Sequence, residues 1–114
     1  MALNVVTALS GSGPAYFFLL AELMTDAAVN LGLTRESAQE LAIQTLFGSG
    51  RMARDDGELA RLRAEVTSKG GTTEAALRVF DASNLRGIVA AALQAATDRG
   101  REMAQAFGNS QTSA

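Results

Sequence analysis

The apolar positions recur with helical spacing almost from end to end. Phe17, Leu20, Met24, Ala27 and Leu31 form one stripe, and Phe18, Leu19, Leu23, Ala28 and Val29 widen it most of the way round. Only Glu22, Asp26 and Asn30, four residues apart, mark a wet face. This predicts a first helix over about Pro14 to Leu31, after a ragged start at Met1 to Val6. A helix this apolar needs cover on most sides, which points to a subunit interface.

A second helix is predicted from the Thr34 cap to about Arg54. Ala38, Leu41, Ala42, Thr45, Ser49 and Met52 share one face, and Glu36, Glu40 and Gln44 the other. Gly48 and Gly50 inside it cost roughly 1 kcal/mol each against alanine, and close packing on another backbone is the expected reason. Asp55-Asp56-Gly57 reads as a turn. Glu58 to Glu65 reads as a short helix with Leu59 and Leu62 inward. A fourth helix covers about Thr73 to Asp81, with Ala76, Leu77 and Phe80 as its core face.

The fifth helix is capped by Ser83 or Asn84 and runs to about Phe107. Leu85, Ile88, Val89, Ala92, Ala96, Met103 and Phe107 form its stripe, and Gly100 is a weak point in it. Gly32 and Gly108 fit the positions that stop helices. Asn109 to Ala114 are expected to be a disordered tail, leaving one helical domain over residues 1–108. No strand pattern intervenes, so the fold class is all-α.

Two stretches break the helical pattern. Val66-Thr67-Ser68-Lys69-Gly70-Gly71-Thr72-Thr73-Glu74 gathers four hydroxyls, a glycine pair and a lysine between two helices. Gly70 and Gly71 allow positive φ and close approach of a ligand. Thr72 or Thr73 reads as the cap of the next helix. The free N–H groups and dipole of that helix start suit a small anion, a carboxylate or a phosphate. Thr7-Ala8-Leu9-Ser10-Gly11-Ser12-Gly13-Pro14-Ala15-Tyr16 is the second. Pro14 fits a first helical turn, with Ser12 or Gly13 as cap. Taken alone, such stretches are more often only turns and caps.

Composition narrows the chemistry. The 114 residues hold no cysteine and no histidine, and the net charge is −2. Disulfides are impossible, and zinc and haem sites lose their usual ligands, so no metal is expected. Scattered basic residues exclude a nucleic-acid surface. No apolar run reads as both long and charge-free enough to span a bilayer, so no membrane partner is expected and the cytoplasm is the expected compartment.

The two motifs, with the order and lengths of the helices around them, resemble the C-terminal domain of the pyrroline-5-carboxylate reductase family over about Asn4 to Phe107. The resemblance implies a five-helix interlocking dimerisation domain, similar to the C-terminal domain of 6-phosphogluconate dehydrogenase. It implies a homodimer, with five dimers forming a decamer in many members. The family's nucleotide-binding half, a Rossmann domain for NADPH or NADH, has no counterpart here, since no Gly-x-Gly-x-x-Gly follows a strand. This chain is then expected to be the C-terminal fragment, with no cofactor bound and no activity alone. The reaction implied is reduction of 1-pyrroline-5-carboxylate to L-proline.

By resemblance, Ser68, Gly70, Gly71, Thr72, Thr73 and Pro14 bind substrate. Thr73 and Thr7 stand at catalytic positions, and Ser12 and Gly13 lie near the nicotinamide. Lys69 stands where many members carry proline, and Ser83-Asn84 where a Gly-Gly pair is frequent. Two alternatives stand beside this reading. One is the helical domain of another 6-phosphogluconate-dehydrogenase-like reductase, disfavoured because the only lysine, Lys69, lies in a loop. The other is a non-catalytic helical anion-binding or oligomerisation module.

Overall fold

The computed structural model describes residues 2–112, with side chains described to residue 108. The helices are α1 (Ala2–Val6), a π-helical turn (Thr7–Gly11), α2 (Gly13–Asn30), α3 (Arg35–Asp56), α4 (Leu59–Glu65), α5 (Thr72–Ala82) and α6 (Leu85–Thr112). The first three run on as one helical stretch, Ala2–Asn30, so five helical rods result, and no strand occurs among the described residues. The chain forms two compact units, residues 1–15 with 80–114, and residues 16–79.

The start of the chain corrects the sequence reading. Residues 2–11 are helical rather than ragged, and Ser12 keeps right-handed helical dihedrals (φ −88°, ψ −20°) instead of acting as a cap. Helix therefore passes straight through the Gly11-Ser12-Gly13 stretch. The lengthened rod, Ala2–Asn30, is long and apolar enough to cross a bilayer by length and composition, contrary to expectation.

In the first unit, α1 and the π turn pack on α6. Ala8 is buried there at 1% exposure. On α6 the covered positions are Leu93, Ala96, Thr97 and Gly100. A Cβ on Gly100 would come within 3.4 Å of Asn4 Oδ1, so the glycine lets the Asn4 side chain lie close. Most of the predicted α6 stripe, including Ile88, Val89, Met103 and Phe107, is instead exposed in the chain. Gly108 does not end α6. It lacks the positive φ that a stop requires, and the helix continues to Thr112 where a disordered tail was expected. Residues 113 and 114 of that tail lie outside the described residues.

In the second unit, local chemistry acts as predicted at several ends. Gly32 has φ +119° and α2 closes with two bonds, Gly32 N–H to Val29 O (3.0 Å) and Leu33 N–H to Ala28 O (3.1 Å), the Schellman pattern. The Thr34 hydroxyl accepts from Ser37 N–H at 3.2 Å and caps α3. Gly57, at φ +80°, ends α3. Arg35 of α3 pairs with Asp26 of α2 at 3.0 Å. Leu62 is half-covered, but Leu59 is 65% exposed rather than inward. Among the described residues, nothing beyond their immediate helical surroundings lies within 4 Å of a Cβ on Gly48 or Gly50, so the close packing expected of them is not made there.

The apolar surface is left largely uncovered. Phe17, Phe18, Leu23, Leu41 and Phe47 are all more than half exposed. The chain exposes 9137 Å², about half as much again as a self-contained folded chain of this mass.

Candidate functional site

The loop between α4 and α5 is built from both ends. On the α4 side, Thr67 finishes the helix: its hydroxyl donates to Arg63 O at 2.5 Å and its N–H to Ala64 O at 3.1 Å. Two carbonyls that the helix end would leave orphaned are thereby satisfied. Ser68 to Gly71 then make a tight turn, with Gly71 N–H donating to Ser68 O at 3.0 Å. Gly70, the third residue, has φ +75°, while Lys69 is not in the positive-φ region. That combination is a type II turn, which needs glycine at its third position and favours proline at its second.

Gly71 is required for a different reason. A Cβ there would lie 2.5 Å from Ser68 Oγ and 3.2 Å from Ser68 O. The Ser68 hydroxyl thus occupies the place a side chain at 71 would take. The sequence placed the cap at Thr72 or Thr73. In the structure the Gly71 carbonyl accepts the first helical bond, from Ala75 N–H at 3.2 Å, so Gly71 holds the cap position and both threonines lie in the first turn. Among the described residues, the N–H groups of Thr72 and Thr73 and the Thr73 hydroxyl have no hydrogen-bond partner. Thr73 is half-buried and Ser68 and Thr72 are exposed.

Glu74 lies in the first turn of α5. Its Oε1 accepts from Gly70 N–H at 3.2 Å and from Arg78 Nη2 at 3.1 Å. The Gly70 amide is therefore engaged within the chain. A carboxylate three residues past a helix cap is the signal that reveals such a reach-back in a sequence.

Residues 7–15 of the N-terminal motif lie in the other unit. Thr7 Oγ1 donates to Leu3 O at 3.1 Å, and Ser10 Oγ to Val6 O at 3.0 Å, so both hydroxyls bond back along their own helix. Ser12 N–H donates to Thr7 O at 2.9 Å. Gly13 is buried, Pro14 is exposed in the first turn of α2, and Tyr16 is half-buried. Among the described residues there is no strand and so no strand–glycine turn–helix unit for a dinucleotide's phosphates. No group of acidic residues there can hold a metal ion. A shallow open groove along α3, lined by Arg35, Glu36, Gln39, Glu40, Ile43 and Gln44, includes none of the expected site residues.

Residues 1–103 match the family described as pyrroline-5-carboxylate reductase dimerisation. A pyrroline-5-carboxylate reductase of Pseudomonas aeruginosa is 50% identical over 107 residues, covering 93% of this chain and 39% of that protein. Two solved structures share the fold at a TM-score of 0.83. One, from Coxiella burnetii, is a pyrroline-5-carboxylate reductase, 48% identical, covering 87% of this chain and 37% of that one. The other is Plasmodium falciparum pyrroline carboxylate reductase with NADP bound, 34% identical, covering 89% and 39%. The chain spans about two fifths of the length of the curated relatives it matches.

Proposed function

This chain belongs to the pyrroline-5-carboxylate reductase dimerisation family, and on that premise we propose that it is the dimer-forming and carboxylate-binding half of an NAD(P)H-dependent reductase that converts 1-pyrroline-5-carboxylate to L-proline. The observation that carries the site is the start of α5. There the amides of Thr72 and Thr73 have no partner among the described residues, and the Ser68 hydroxyl lies beside Gly71, in the space that a Cβ there would take. A helix start with free amides and a neighbouring hydroxyl favours a carboxylate.

In this reading the chain's residues bind and orient the ring. The substrate carboxylate takes the Thr72 and Thr73 amides and the Ser68 hydroxyl. Gly70 and Gly71 shape the turn that lets it in. The Thr73 hydroxyl, with no partner of its own, is the relay for the proton that the imine nitrogen must gain. By resemblance to the family, Thr7, whose hydroxyl donates to Leu3 O, and the Ser12-Gly13-Pro14 segment are assigned to the ring and the nicotinamide. A nicotinamide cofactor supplies hydride when bound. The residues of this chain do not fit its phosphates.

The uncovered apolar faces of α2, α3 and α6 support a homodimer, with a decamer as the larger assembly open to it. Cover by a second copy also accounts for the apolar Ala2–Asn30 rod without a membrane, in a cytoplasmic enzyme. The site is tested by thermal shift with L-proline on the wild-type chain and on Ser68→Ala and Thr73→Ala. Stabilisation of the wild type that fades in both variants is expected. Undiminished stabilisation in both variants overturns the assignment.

A further inference from the structure

The carboxylate of Glu74 is the one group in the loop whose task the proposed substrate site leaves unexplained. It sits in the first turn of α5, where a negative charge is favoured by the helix dipole. Its Oε1 takes the Gly70 N–H (3.2 Å) and the Arg78 guanidinium (3.1 Å) at once. Its side chain is 28% exposed and that of Arg78 is 78% exposed. As a surface ion pair four residues apart on a helix, the contact contributes little stability by itself. Its position matters more than its strength. Gly70 is the positive-φ residue of the turn; Gly71 N–H is spent on Ser68 O, and the Gly70 amide is the turn donor that Glu74 takes up.

We propose that Glu74 is a positioning residue for the carboxylate-binding loop. It ties Gly70 to α5, so that the Gly70 amide is withheld from an incoming carboxylate, and Arg78 neutralises the charge that Glu74 would otherwise set against that anion. The inference rests on the carboxylate site proposed above. Thr67 anchors the loop to α4 and Glu74 anchors it to α5, so the Ser68–Gly71 turn is held at both ends. The two halves of the role are separable. The tie to Gly70 needs an oxygen acceptor, which glutamine also provides. The need for Arg78 exists only while residue 74 is charged.

The test uses the chain itself, with L-proline as probe, in four variants: Glu74→Ala, Glu74→Gln, Arg78→Ala and the Glu74→Gln/Arg78→Ala pair. Two quantities are read, the hydrogen-exchange rate of the Gly70 amide by NMR and the affinity for L-proline. Glu74→Ala should speed Gly70 exchange and weaken L-proline about fivefold, the loss of one ordinary hydrogen bond, whereas Glu74→Gln should keep both near wild type. Arg78→Ala should weaken L-proline, more so at low salt, and the paired variant should recover. A merely structural helix contact would not give that recovery. Equal Gly70 exchange in wild type and Glu74→Ala overturns the tie, as does Glu74→Gln behaving like Glu74→Ala. If the wild type does not bind L-proline, the carboxylate-site reading falls, and Gly70 exchange still decides whether Glu74 holds the loop.

Discussion

Ser12 N–H donates to Thr7 O at 2.9 Å, five residues back along the chain. That one wide turn makes the motif at the head of α2 a π-helical segment rather than a cap, an irregularity that often marks functional sites. An extra residue in a turn rotates everything after it by about 100° around the axis. Ala8, within the π turn, is buried where that turn packs on α6.

The two loop glycines are expected to fail for different reasons. Gly70→Ala places a Cβ at φ +75° and should cost about 1–2 kcal/mol. Gly71→Ala pushes a Cβ against Ser68 Oγ and the Ser68 carbonyl. It should cost about 1–3 kcal/mol and displace the Ser68 hydroxyl. Urea melts with L-proline titrations check this. Full retention of stability by Gly71→Ala would show that Ser68 does not sit over residue 71.

Lys69 is the second residue of a type II turn, where proline's fixed φ is already suited. Lys69→Pro should raise stability by about 0.4–1 kcal/mol, acting through the unfolded chain. A lowered melting temperature would mean that the turn is of another type.

Asn84 carries two tasks at the α5–α6 junction. It has φ +61°, the one positive-φ residue other than glycine among the described residues, and its Oδ1 accepts from Gly87 N–H at 3.3 Å. Its carbonyl takes the first α6 bond, from Ile88 N–H at 3.0 Å, so it is the cap. Asn84→Ala loses the cap and strains the backbone, with an expected cost of about 2 kcal/mol. Asn84→Gly relieves the strain and should cost only a few tenths. Equal losses in the two would remove the backbone part of the argument.

Light scattering at micromolar concentration should give a dimer or larger assembly. Phe17 is 58% exposed in the chain, and burying a phenylalanine side chain is worth about 1.5–3 kcal/mol. Phe17→Asp, present in each copy, should therefore weaken association at least about a hundredfold and give a monomer. An assembly unaffected by Phe17→Asp places this face outside the interface.

The helices and most of their ends were legible in the sequence because they depend on neighbours along the chain. Thr34 caps α3 through Ser37, and Gly32 and Gly57 stop helices because only their backbones turn left-handed at no cost. The hydroxyl-and-glycine loop was equally legible as a turn leading into a helix start. Its true cap was missed by one residue, since Gly71 rather than Thr72 or Thr73 takes that place, and the reach of Glu74 to Gly70 was missed with it.

By itself, then, the sequence determined an all-α chain, the helix register, and the glycine turn before α5, all set by local backbone preference and side-chain reach. Tertiary structure alone decided which apolar residues are covered. Ala8 and Thr97 are buried, whereas Ile88, Met103 and Phe107, on the predicted stripe, are not. It also decided that Thr7–Gly11 winds as a π turn where it packs on α6. Helical periodicity says that a face is apolar, but what covers it depends on contacts between residues far apart in the chain.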